Sequence, residues 1–85
     1  MDVIWEAIQA ERLRQREKWR TPHLWGIGDC SSAHVAEAVK VAVLTEECGE
    51  VSRAVLDHDP GRLREELIQV AAVAVAWLEG EQWKS

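Results

Sequence analysis

Phenylalanine and tyrosine are absent, and cysteine and proline occur only twice each. Two cysteines, Cys30 and Cys48, make neither a disulfide framework nor a thiolate zinc site, which would need more ligands at closer spacing. They read as ordinary free thiols in a reducing cytoplasm. Basic residues are outnumbered, 10 Lys and Arg against 15 Asp and Glu. A formal charge of −5 argues against non-specific nucleic-acid binding, because phosphate contacts along a duplex need Lys and Arg. It does not exclude a small phosphate-bearing ligand that arrives with neutralising metal ions. The longest nearly apolar run, Leu67 to Leu78, is about half of what crosses a bilayer, so no membrane span is expected. No basic stretch followed by an apolar one opens the chain, so no secretory leader is expected.

What is present favours helices. Ala, Val, Leu and Glu are frequent, and Gly and Pro are scarce. The 85 residues suffice for one small domain, 1–85, whose core is modest without a metal or a partner subunit. The expected fold class is all-α: a short bundle of about three helices, completed by oligomerisation into a four-helix-type core.

The first helix is expected from about Asp2, a fair N-cap, to Lys18. Val3 or Ile4, Ala7, Ile8, Glu11 and Gln15 mark helical spacing, with Trp5 and Leu13 adding apolar surface. Its second half is densely charged. That run reads as a solvated face, with Arg12, Arg16 and Lys18 as candidates to reach a phosphate. A loop follows from Trp19 to about Ser32, holding Pro22, Gly26 and Gly28. Trp19 and Trp25 either stack on a nucleobase or cover the open end of a bundle core or an oligomer interface. His23 and His34 read as surface histidines. Ser31 or Ser32 is expected to cap the second helix, which runs to about Leu56. Asp59 then caps a third helix with Pro60 at its first position, and the short connection makes the two helices antiparallel neighbours. That third helix, to about Glu79, is apolar on nearly every side from Leu67 onward. Such a helix is buried all round, which one protomer of this size can hardly achieve, so a dimer or higher assembly is expected.

The second helix holds the stretch with the most chemistry in it. Glu46, Glu47 and Glu50 fall within an arc of roughly 100°, which Val39, Val43 and Ala54 share. Acids that interrupt an apolar stripe repel one another and lose hydration unless a cation holds them. Hard divalent ions such as Mg²⁺ want oxygen ligands of this kind. The plain alternative is a solvated acidic patch at the edge of the bundle. On the third helix, Glu66 and Gln69 stand three residues apart at the head of a stripe continued by Val70, Val73 and Trp77. Side chains from both helices would converge on one ion.

Glu46-Glu47-Cys48-Gly49-Glu50-Val51 and Glu65-Glu66-Leu67-Ile68-Gln69-Val70 resemble the paired motifs of the MazG-like all-α nucleoside triphosphate pyrophosphohydrolases. The resemblance covers about Val41 to Leu78 and, more loosely, the charged first helix. It implies a Mg²⁺-dependent enzyme, with Mn²⁺ as a possible substitute. Such an enzyme splits a nucleoside triphosphate, ribo or deoxy, into monophosphate and pyrophosphate in a house-cleaning or nucleotide-pool role. It also implies a cytoplasmic homodimer or homotetramer. Carried over by motif, Glu47, Glu50 and Glu66 become metal ligands, and Glu46 an acid that orients the attacking water. Lys18, Lys40 and Arg53 are candidates to stabilise the leaving pyrophosphate, and Trp19 or Trp25 to close over the base. The sequence departs from the family where Gln69 replaces the final Asp. A Gln carbonyl can ligate Mg²⁺ but brings no charge and cannot act as a general base. The alternative is therefore a catalytically degenerate, oligomeric helical module that binds or regulates. A carboxylate-bridged di-iron bundle is disfavoured, because neither helix carries Glu-x-x-His.

Overall fold

Asp2 begins the fold as expected: its carboxylate accepts the Trp5 amide proton at 3.0 Å and opens α1, Val3–Lys18. The computed structural model describes residues 2–80, so residue 1 and residues 81–85 of the expected 1–85 domain lie outside it. A second helix, α2, spans Glu37–Leu56, and a third, α3, spans Pro60–Leu78. On α1, Ala7, Ile8, Glu11 and Gln15 are half-buried while Val3, Ile4 and Leu13 stay exposed. Arg12, from the charged run, is buried against Glu79 at the end of α3, to which it is ion-paired.

The segment between α1 and α2 is not a plain loop. Pro22–His23 (β1) and Gly26–Ile27 (β2) pair antiparallel, Pro22 with Ile27 and His23 with Gly26. Gly26 also bridges to Val35, with φ of +138°. A Cβ there would lie 2.0 Å from the His34 carbonyl oxygen, so only glycine fits. His23 is half-buried and is not a surface residue. Its Nε2–H donates to the Gly28 carbonyl at 2.8 Å, leaving Nδ1 to accept from the Trp25 amide at 3.3 Å. His34 is exposed, as expected.

Helix α2 starts later than the serines suggest. Ser31 donates its amide and hydroxyl to Asp29, while Ser32 donates its hydroxyl to the Ile27 carbonyl and accepts from the His34 amide. Both side chains are spent inside the connecting segment, a local alternative to capping that Ser and Asp readily adopt. The N-cap is instead Ala36, which makes no side-chain capping bond.

The turn into α3 matches its sequence. Asp59 accepts the Arg62 amide at 3.0 Å and Pro60 takes the first helical position. The α2–α3 pair is antiparallel: Glu50 meets Arg62 near the turn, and Val43 and Leu44 pack by Val73 and Ala76 further away. Small residues, Ala54, Ala72 and Ala76, are fully buried and let the helices approach closely. Within the single chain, burial on α3 is one-sided, as expected of a helix that one protomer of this size can hardly surround. Leu67 and Leu78 remain 50% and 68% exposed within the single chain. No helix among the described residues is long and apolar enough to cross a membrane.

Candidate functional site

A cleft of about 460 Å³ opens between the end of α1, the hairpin segment, α2 and α3. Trp19, His23 and Trp25 form its aromatic wall. The Trp19 and His23 rings meet edge to face with centroids 5.1 Å apart, and Trp19 and Trp25 do so at 6.3 Å. Lys18 lies over the Trp19 ring, 5.1 Å from its centroid, and Arg14 joins it on the α1 side. Across the cleft, α2 contributes Glu46 and Glu47, and α3 contributes Gln69. The lining therefore combines aromatic and cationic side chains with carboxyl and amide oxygens, and the Glu47 charge acts on Arg14.

Glu47 stands at the centre of an acidic cluster drawn from all three helices. Partial burial raises its pKa above the ordinary carboxylate value, and the charges of Glu66, Glu46, Glu11 and Glu50 raise it further. Glu11, on α1, moves the opposite way. Its carboxylate accepts two bonds from the Arg14 guanidinium, at 2.5 and 2.9 Å, and one from Gln15, which together outweigh its own desolvation. Glu47 has no such donor. Its Oε2 is buried without a hydrogen-bond partner, and so is Oε2 of Glu66 on the facing helix. Arg14 and Arg62 offset part of the charge at Glu47 and Glu66, but the two orphaned carboxylate oxygens remain costly, and a positive ion between them would relieve both.

The expected ligands differ in their surroundings. Glu47, Glu46 and Gln69 share the cleft, whereas Glu50 and Glu66 lie beside it, near Arg62. Arg62 donates from Nη2 to Glu50 Oε2 at 2.8 Å and from Nη1 to Asp57 Oδ2 at 3.3 Å, and its Nε stands 4.0 Å from Glu66 Oε1. Among the described residues, no three His, Cys, Asp or Glu side chains are gathered closely enough to enclose a metal ion. The donor set nonetheless suits a hard divalent cation: hard oxygen atoms, two of them unsatisfied, on two adjacent helices.

The cationic candidates also separate. Lys18 lines the cleft with Trp19. Lys40 is fully buried and does not line it, although its charge acts on the buried Cys30 thiol, whose pKa is raised chiefly by desolvation. Arg53 is exposed outside the cleft, 3.7 Å from Asp57. Arg12 is held by Glu79, and Arg16 does not reach the cleft. Sequence reasoning passed over Glu11, Arg14 and Arg62 as site residues. Glu11 and Arg14 both sat inside a charged run that reads as solvated; Glu11 had a detectable signal, its helical spacing with Ala7, Ile8 and Gln15, whereas nothing in its spacing set Arg14 apart. Arg62 had a detectable signal: it lies four residues before Glu66, hence on the same helix face.

Comparison of the chain with protein-family models, with curated proteins and with solved structures found no match in any of the three.

Proposed function

We propose that this chain is a divalent-cation-dependent nucleoside triphosphate pyrophosphohydrolase of the MazG-like type. The observation that carries the reading is the pair of buried, unpartnered carboxylate oxygens of Glu47 and Glu66 on facing helices. Glu47 and Glu66 would hold Mg²⁺ or Mn²⁺, with Glu50 and the Gln69 carbonyl as further oxygen donors. A bound Mg²⁺ would supply charge neutralisation at the phosphates and acidify a water molecule.

The chain's own residues account for the rest. Glu46, exposed at the cleft edge, orients a water and takes its proton as the water oxygen bonds to the α-phosphorus. The bond from that phosphorus to the α–β bridging oxygen breaks, and the electron pair leaves with pyrophosphate. Lys18 and Arg14 line the cleft and would serve as counter-ions to phosphate charge, and Trp19 and Trp25 would offer ring faces and edges to a base. The test is to incubate the chain with Mg²⁺ and a panel of ribo- and deoxyribonucleoside triphosphates. Monophosphate and pyrophosphate in equal amounts are expected, with the rate lost in Glu47→Gln and Glu50→Gln. Turnover that survives both substitutions ends the reading.

The same proposal includes self-association. Val41, Leu44, Cys48, Val51 and Val55 repeat at alternating three- and four-residue steps on α2, as do Leu67, Ala71, Ala74 and Leu78 on α3. Such stripes are coiled-coil-like seams. Val41 and Val55 are 50% and 52% exposed in the single chain. Leu44 is already packed by Val73 and Ala76, and a second copy would cover the exposed parts of both stripes and complete a four-helix core.

Gln69 favours a second reading, a degenerate oligomeric module that binds or regulates without turnover. It places a neutral amide in the cleft where the resembled family has a charged ligand. Absence of heat on titrating Mg²⁺ with nucleotide would select this reading over the first.

A further inference from the structure

We infer that Arg62 is a built-in counter-ion that a divalent cation must displace, and that the displaced guanidinium then binds the phosphates. The inference rests on the cation reading above, and it assigns a role to a residue outside both acidic motifs. Arg62 sits on the first turn of α3, anchored there by the Asp59 cap on its own amide. Its guanidinium touches Glu50 at 2.8 Å and Asp57 at 3.3 Å and lies 4.0 Å from Glu66. Two of those three carboxylates are the proposed ligands.

A guanidinium and a divalent ion compete for the same Glu50 lone pairs, and they repel each other at this range. Arg62 thus supplies, in the cation-free chain, part of the charge that the acids require. It does not reach Glu47, whose Oε2 stays unpartnered. The compensation is incomplete, and the remaining deficit lies on the side that a cation would enter. When a cation takes Glu50 and Glu66, Arg62 keeps Asp57, which is not a proposed ligand. The side chain, about one-third exposed, can pivot on that contact. A planar fork released beside the metal matches a phosphate bidentately, as an ammonium would not.

The experiment measures binding of Mn²⁺ alone to the full chain by calorimetry, in wild type, Arg62→Gln, Arg62→Lys and the charge control Arg20→Gln, a residue that pairs with Glu17 and does not line the cleft. A triphosphate analogue with a non-hydrolysable α–β linkage is then titrated into each at saturating Mn²⁺. Removing the competitor should tighten Mn²⁺ roughly threefold to tenfold in Arg62→Gln. The analogue should bind about tenfold more weakly in the same variant. Arg62→Lys should keep Mn²⁺ binding near wild type and still lose analogue affinity, and Arg20→Gln should change neither. A merely structural arginine would weaken both ligands together. Mn²⁺ binding that is unchanged or weaker in Arg62→Gln overturns the displacement role while the cation reading stands. Unchanged analogue affinity overturns the hand-over to phosphate. If wild type and Arg62→Gln both fail to bind Mn²⁺, the cation reading falls and this inference falls with it. Should Arg62→Gln not fold, the Arg62→Lys comparison decides the hand-over on its own.

Discussion

Glu47 pays for its position with a raised pKa, because burial and four neighbouring acids all oppose its charge. The folded chain holds the Glu47 proton more tightly than the unfolded chain does. Ionised Glu47 therefore destabilises the fold, fully so above the raised value; the penalty fades as pH falls from there toward the ordinary carboxylate value and is gone below it. In the absence of metal, Glu47→Gln should raise the melting temperature at pH 7 and change it little at pH 4. Solvent screening at this partly exposed carboxylate keeps the gain to about 0.5 kcal/mol, or roughly 2–4 °C for a domain of this size. A thermal melt followed by circular dichroism at the two pH values checks it. The same substitution should abolish stabilisation by Mn²⁺, since a ligand that binds only the folded state stabilises it by mass action. Glu47 and Glu66 were legible as candidates because carboxylates on apolar stripes are unusual. Glu11 was legible as a member of the inward face of α1 but not as a site acid, because its neighbours in the run are equally charged and only the packing of α1 against the other helices brings it near Glu47.

Among the elements, α3 follows most directly from local sequence. Asp59 and Pro60 start it, and among the described residues no competing partner draws the Asp59 side chain away from the Arg62 amide. Asp59→Ala should cost about 1 kcal/mol, read as a lower midpoint in urea unfolding with the slope unchanged. The hairpin segment was the least legible. Its glycines, Trp19, His23 and Trp25 were visible, but two-residue strands carry no periodicity to detect. The late start of α2 was hidden for a related reason. Ser31 and Ser32 are good helix caps in isolation, and only contacts with Asp29 and the Ile27 carbonyl, formed as the segment folds back, divert them. Gly26→Ala should remove this wall of the cleft, because φ at +138° and the His34 carbonyl leave no room for a methyl group. A loss of about 1–3 kcal/mol is expected, with helical content preserved and base binding weakened. Far-ultraviolet circular dichroism and tryptophan fluorescence during nucleotide titration separate the two effects.

At the scale of the whole molecule, the single chain encloses few residues fully, and the largest apolar side chains of α2 and α3 stay partly exposed. Small domains of this kind commonly need a metal or a partner to be stable. Leu67→Glu, placed on the open α3 stripe, should convert an associating protein into a monomer in sedimentation velocity and lower its melting temperature. A wild-type chain that sediments as a monomer at high concentration would exclude the proposed assembly. The sequence alone determined the helical class, three helices whose ends it placed closely except for the start of α2, the antiparallel α2–α3 pair and the two acidic motifs. Those features depend on helical periodicity, end caps and a short turn, which act between residues close together in the chain. Tertiary structure alone decided that Lys40 and Arg12 are buried, that Arg14 and Lys18 face the cleft, and that Arg62 stands among the acids. Each of those outcomes depends on which helix covers which face, and no local spacing encodes that choice.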